Sequence, residues 1–166
     1  PWPNRIRDGK YTFAGQTRQL AVSEPAHQNA IHGLVRWSAW QPVEASTARV
    51  RLACRLVAQS GYPWTLDLGV DYEVTSRGLT VELTAHNRSA TTAPFAAGMH
   101  PYLDVGGRVD DAVLEVPAAV HLGTDDRGLP VDTGPAAADL DFRAGRTIGA
   151  QVLDDAFTEL ARDHDG

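Results

Sequence analysis

The chain has 166 residues, 43% of them hydrophobic and 22% charged, ordinary proportions for one soluble globular domain. Its 15 Lys and Arg stand against 21 Asp and Glu, a formal charge of −6 with no basic stripe, which argues against nucleic acid as a partner. Cys54 is the lone cysteine, which excludes an intrachain disulfide and a cysteine-based metal site, and no apolar run approaches the ~18 residues of a membrane span.

No charged-then-apolar leader opens the chain, so no membrane partner is expected and the expected location is cytoplasmic. The start at Pro1-Trp2-Pro3-Asn4 lacks Met, and Asp163-His164-Asp165-Gly166 reads like a turn leading into another strand. The expectation is a single β-sandwich domain over 1–166, truncated at both ends, whose cut strand edges would invite self-association.

Residues 1–10 read as an irregular segment closed by an Asp8-Gly9 turn, and Tyr11 to Val22 as a hairpin around Gly15-Gln16. Ser23 to Asn29 is polar, contains Pro25 and should be a surface loop, followed by His32-Gly33 and an aromatic-rich extended run from Leu34 to Trp40. The strongest pattern comes next. Val50, Leu52, Cys54 and Leu56 alternate with Arg49, Arg51, Ala53 and Arg55, which places Cys54 in a core slot. The same period of two runs through Trp64 to Thr75 and Leu79 to His86. Alternation of this length predicts strands with one buried and one wet face. Short turns at Ser60-Gly61-Tyr62-Pro63 and Ser76-Arg77-Gly78 predict antiparallel connections. No stretch carries a capped helical period, so the fold class is all-β, in two packed sheets or a barrel.

Gly98 to Asp104 holds His100 between small residues and Pro101, which disfavours helical backbone at the histidine. Ala112 to Leu122 predicts two short strands broken at Pro117, residues 123–139 a long excursion loop continued by Arg143 to Ala150, and Leu153 to Leu160 a strand entry.

Four segments combine charge or imidazole with constrained backbone: Asn4-Arg5-Ile6, Asn29-Ala30-Ile31-His32-Gly33, Gly98 to Asp104, and Leu153 to Leu160. In this order and at these separations the chain resembles the aldose 1-epimerase (galactose mutarotase) family over nearly all of its length. The resemblance implies a large antiparallel β-sandwich that interconverts α and β anomers of a free monosaccharide with no metal and no organic cofactor. It implies that Arg5 and His32 hold sugar hydroxyls or the ring oxygen, that His100 is the general acid, and that Asp154 binds hydroxyls, with Asp155 the alternative if the register is off by one. The family's general base is a glutamate in a Glu-Pro segment much further along the chain. Glu24-Pro25 lies too early for that role, and Glu159 belongs to the Asp154 segment.

Opening a pyranose needs a proton delivered to the ring oxygen while another leaves the anomeric hydroxyl, which suits groups poised near the working pH. Dense sugar hydroxyls suit Arg and carboxylate partners, because charge-assisted hydrogen bonds are the stronger kind. Trp2, Trp37 or Trp40 would serve as an apolar platform, or simply as core. Taken singly, Arg5 reads as an interstrand ion pair, His32 as a loop histidine and Asp154 as an Asx turn. His27, His86, His121 and His164 are given no chemistry, His121 and His164 for want of partners. The alternatives are a non-catalytic carbohydrate-binding sandwich, a phosphosugar epimerase on the same scaffold if Arg5, Arg7 or Arg36 points at the pocket, and a glycosidase using two carboxylates.

Overall fold

The structure is a computed structural model that describes residues 2–162. The expected turn at 163–166, with His164, lies outside the described residues. The chain divides into two compact units, residues 2–99 and residues 100–162, each taken by itself below. Among the described residues thirteen strands and two single 3-10 turns, Pro25–His27 and Val109–Asp111, make up the regular structure, so the all-β expectation holds.

In the first unit the strands are β1 (Arg5–Arg7), β2 (Lys10–Phe13), β3 (Gln16–Gln19), β4 (Asn29–Ile31), β5 (Gln41–Ala45), β6 (Arg49–Leu56), β7 (Leu66–Thr75) and β8 (Gly78–Asn87). The expected hairpin is β2–β3, with its turn one residue earlier than predicted: Ala14 and Gly15 both take left-handed backbone, the twist that two-residue hairpin loops require. The three alternating runs become β6, β7 and β8, three members of an antiparallel sheet in the order β5-β6-β7-β8.

The phase of that alternation sets the packing. Leu56, Leu66 and Leu68 enter a core with Leu20, Ala30, Tyr62 and Trp64. Trp64 sits edge-on to both Phe13, at 5.6 Å between ring centroids, and Tyr62, at 5.1 Å. Further along the sheet the apolar phase opens: Tyr72, Val74, Leu79 and Leu83 are exposed, and Cys54 is half-buried rather than in the core. The opposite face is charged. Arg49 and Arg51, two residues apart on β6, clasp Asp71 at 2.9 and 2.7 Å, and they hold its carboxyl below the ordinary range against the opposing pull of burial. On that face a Cβ added to Gly69 would lie 2.5 Å from Thr84 Oγ1, so glycine lets β7 and β8 pair without displacing the threonine.

Three expectations for this unit are corrected. Leu34 to Trp40 contains no strand, and β5 begins just after it; a short edge strand with Pro42 and a register shift between Pro42 and Glu44 carries little periodicity. The irregular N-terminal segment contains β1. The surface loop at Ser23 to Asn29 ends in Asn29, which is fully buried as the first residue of β4.

In the second unit the strands are β9 (Val113–Leu114), β10 (Ala118–Thr124), β11 (Pro130–Pro135), β12 (Arg146–Thr147) and β13 (Ala156–Leu160). The break at Pro117 and the strand after Leu153 appear as expected. The excursion loop is interrupted, because β11 pairs with β10 along one side and β13 with the other. Prolines at both ends of β11, each lacking an N–H, concealed it as a strand. Ala118, Leu129 and Phe142 are buried here, with the Arg146 guanidinium 4.1 Å from the Phe142 ring centroid. No helix among the described residues is long and apolar enough to cross a membrane.

Candidate functional site

The antiparallel ladder of β1 and β4 sets Arg5 opposite Ile31, which brings the first two candidate segments side by side. At its end the His32 N–H donates to the Asn4 carbonyl at 2.9 Å. Asn4 (φ 52°) and His32 (φ 59°) both take left-handed backbone there. That conformation costs an L-residue roughly 1–2 kcal/mol, so the surrounding contacts must impose it.

Those contacts centre on Glu24. Arg5 donates from Nε to Oε2 at 2.9 Å and from Nη2 to Oε1 at 3.0 Å, a bidentate pair. Asn29 Nδ2 donates to Oε2 at 3.1 Å, and His27 Nδ1 lies 3.3 Å from Oε1. Chiefly through Arg5, the Glu24 carboxyl is pulled down to about 2 although burial works the other way. Sequence reasoning weighs Glu24 only as the general base, in Glu24-Pro25, and sets it aside as too early in the chain. The one local signal was Pro25, which opens the tight 3-10 turn that returns the chain to Asn29.

A cavity of about 400 Å³ opens in this first unit, within the range of small-molecule sites. His32, Trp2 and Trp40 line it, together with the segment Phe95 to Met99, and Leu52, Leu68, Val70 and Leu83 supply the apolar phase of the sheet. A neighbouring cavity of about 390 Å³ shares Gly33 and Arg36 with it and includes Trp37, which is 87% exposed. Of the candidate side chains in this unit, His32 and Arg36 therefore face a cavity. Arg5 does not line it and lies in an ion pair with Glu24 instead.

The wall segment is tied down from the core. Tyr62 donates to the Pro94 carbonyl at 2.7 Å, Trp64 Nε1 to Thr91 Oγ1 at 3.0 Å and Asn87 Nδ2 to the Thr91 carbonyl at 2.8 Å. Burial pushes the Tyr62 hydroxyl up to about 12, so it remains a neutral donor.

His100 and Asp154 belong to the second unit. His100 is exposed on irregular backbone, as Pro101 requires. Asp154 is exposed and makes no side-chain hydrogen bond or ion pair among the described residues, whereas Asp155 lies 2.8 Å from His121 Nε2. His121 therefore has a partner, contrary to expectation. Its ring also meets Phe157, its cross-strand neighbour on β13, edge-on at 5.5 Å. Of the two neighbouring carboxylates, Asp155 is committed to the fold and Asp154 is not. Among the described residues no group of three or more His, Cys, Asp or Glu side chains is arranged to hold a metal ion.

The aldose 1-epimerase family model matches residues 1–164. The uncharacterized protein YihR of Escherichia coli K12 is 35% identical over 160 residues, covering 95% of this chain and 52% of that protein. The aldose 1-epimerase of the same organism is 27% identical over 163 residues, covering 93% of this chain and 46% of the enzyme. The crystal structure of a galactose mutarotase-like protein from Clostridium acetobutylicum superimposes with a TM-score of 0.74 at 21% identity, over 84% of this chain and 45% of that one. The chain thus spans about half the length of the curated relatives it matches.

Proposed function

The chain belongs to the aldose 1-epimerase family, and from that premise we propose that it serves an isomerase that interconverts the α and β anomers of a free aldose. The observation that carries the reading is the cavity in residues 2–99, which sets an imidazole, His32, beside two tryptophans and an apolar floor. Flat aromatic faces receive the C–H face of a pyranose, and the polar tip of His32 receives a hydroxyl or the ring oxygen.

In this mechanism His100, as imidazolium, protonates the ring oxygen while a carboxylate from outside residues 1–166 takes the proton of the anomeric hydroxyl. The C1–O5 bond breaks, C1–C2 rotates in the open aldehyde, and the reverse transfers close the other anomer. Imidazole is the side chain suited to giving and taking a proton in such a step. Asp154 accepts hydrogen bonds from sugar hydroxyls, while Arg5, paired with Glu24, stays outside the cavity. The test is anomer exchange of a freshly dissolved aldose, followed by polarimetry in the intact protein. His100→Asn should slow it by about 10²-fold or more, and an unchanged rate would remove His100 from the chemistry.

A second reading, isomerisation of a phosphorylated sugar, is favoured by Arg36. That residue lines both cavities, and its guanidinium stands 5.3 Å from the Trp37 ring centroid with no carboxylate partner among the described residues. Arg36→Ala should then impair exchange of a hexose phosphate and spare that of the neutral hexose.

A further inference from the structure

We propose that Glu24 is a positioning residue for this sugar site, holding the end of the β1–β4 ladder so that His32 keeps its place on the cavity wall. The inference rests on the isomerase reading and goes beyond it, because Glu24 lines neither of the two cavities described and carries no proton in the mechanism.

Asn4 and His32 form a strained pair. Two non-glycine residues in left-handed backbone, facing each other at the end of a three-residue ladder, stay there only if the neighbouring structure over-determines them. Residues 23 and 24 do so from the other side of β4. The backbone of Glu24 exchanges two hydrogen bonds with Asn29, at 2.9 and 3.2 Å. The Ser23 hydroxyl accepts from the Ile31 N–H at 2.9 Å, one residue before His32. The Glu24 carboxylate then joins the two strands, taking Arg5 of β1 and Asn29 of β4 on the same pair of oxygens.

Burial makes this brace stiff. Asn29 and Ala30 are fully buried and Ile31 is 9% exposed, so β4 has no room to shift if its polar groups stay paired. Removing the carboxylate takes away the group that Arg5 and the Asn29 amide share, and the first backbone to relax is the one under strain, at Asn4 and His32. Arg5 acts in this scheme as the far anchor of the brace. A side chain that lies outside the cavity can thereby still govern the affinity of the site.

The experiment is a four-member cycle in the intact protein: wild type, Glu24→Gln, His32→Asn and the double variant. Anomer exchange of a free aldose is read by NMR exchange spectroscopy, which separates KM from kcat, beside the melting temperature. Glu24→Gln is expected to raise KM about 10-fold with kcat within about 2-fold, and to add nothing to KM once His32 is already Asn. Should Glu24→Gln melt below the assay temperature, Glu24→Asp, which keeps the charge and shortens its reach, gives the same readout. KM penalties that multiply in the double variant, or a lowered melting temperature with KM unchanged, overturn the positioning role and leave the isomerase reading standing. A wild type that exchanges no free aldose overturns both.

Discussion

The Tyr62 hydroxyl donates to the Pro94 carbonyl at 2.7 Å, the bond from the aromatic core of residues 2–99 that lies next to the cavity wall formed by Phe95 to Met99. Tyr62 is 2% exposed, so the carbonyl has little access to water as a replacement donor. Tyr62→Phe should therefore cost about 1 kcal/mol or somewhat more in urea unfolding and weaken sugar binding through a looser wall. A variant as stable as wild type, with unchanged affinity, would show that the wall is held elsewhere.

Acid should cost the fold stability by discharging the carboxylates that arginines keep ionised. Glu24 falls from an ordinary 4.5 to about 2 in the folded chain. Its ionisation thus contributes stability that is complete above the unfolded value of 4.5 and is lost as the pH drops through about 2. Glu24→Gln lacks that titration. The drop in melting temperature between about pH 6 and about pH 2.5 should be smaller for the variant than for wild type. An identical drop in both would place the acid sensitivity in other groups, such as Asp141, which Arg143 holds at about 2 in the second unit.

Neighbouring carboxylates with unlike surroundings should give unlike phenotypes. Asp155 is tied to His121, so Asp155→Asn should lower stability by about 1 kcal/mol or less, as half-exposed ion pairs do, with little change in KM. Asp154 has no such tie among the described residues, and Asp154→Asn should raise KM for the aldose by about 10-fold while the melting temperature holds. The reverse pattern, read from thermal melts and exchange kinetics together, would transfer the sugar contact to Asp155.

Phe142 is 1% exposed and anchors the second unit, with the Arg146 guanidinium over its ring. Its backbone carbonyl accepts from Val116 and Gly145, contacts that survive truncation of the side chain. Phe142→Ala should cost about 3–5 kcal/mol, seen as lost amide-exchange protection in β9 and β10. Protection equal to wild type would mean that the ring is dispensable.

Reading the fold from the sequence succeeded where side chains repeat a rule and failed where single contacts decide. β7 and β8 announce themselves because Leu66 to Val74 and Leu79 to Ala85 alternate without interruption. β1 and β4 are three residues each, too short for any period, and exist because Glu24, Ser23 and the Asn4 carbonyl bind them from across the chain. β11 hid between two prolines. The candidate site divides in the same way. His32 and the two cavity-lining tryptophans were legible as residue types suited to a sugar, and so was Arg36 as a cation to watch. The pairing of His121 with Asp155 was not, since 34 positions separate them and only the β10–β13 register brings them together.

Gly69 carries a consequence for selectivity. One added carbon there would come within 2.5 Å of Thr84 Oγ1 on β8, and the threonine side chain would have to give way. Both residues border the chamber, so swapping that hydrogen for a methyl would reshape the space offered to a ring while every other bordering residue kept its identity.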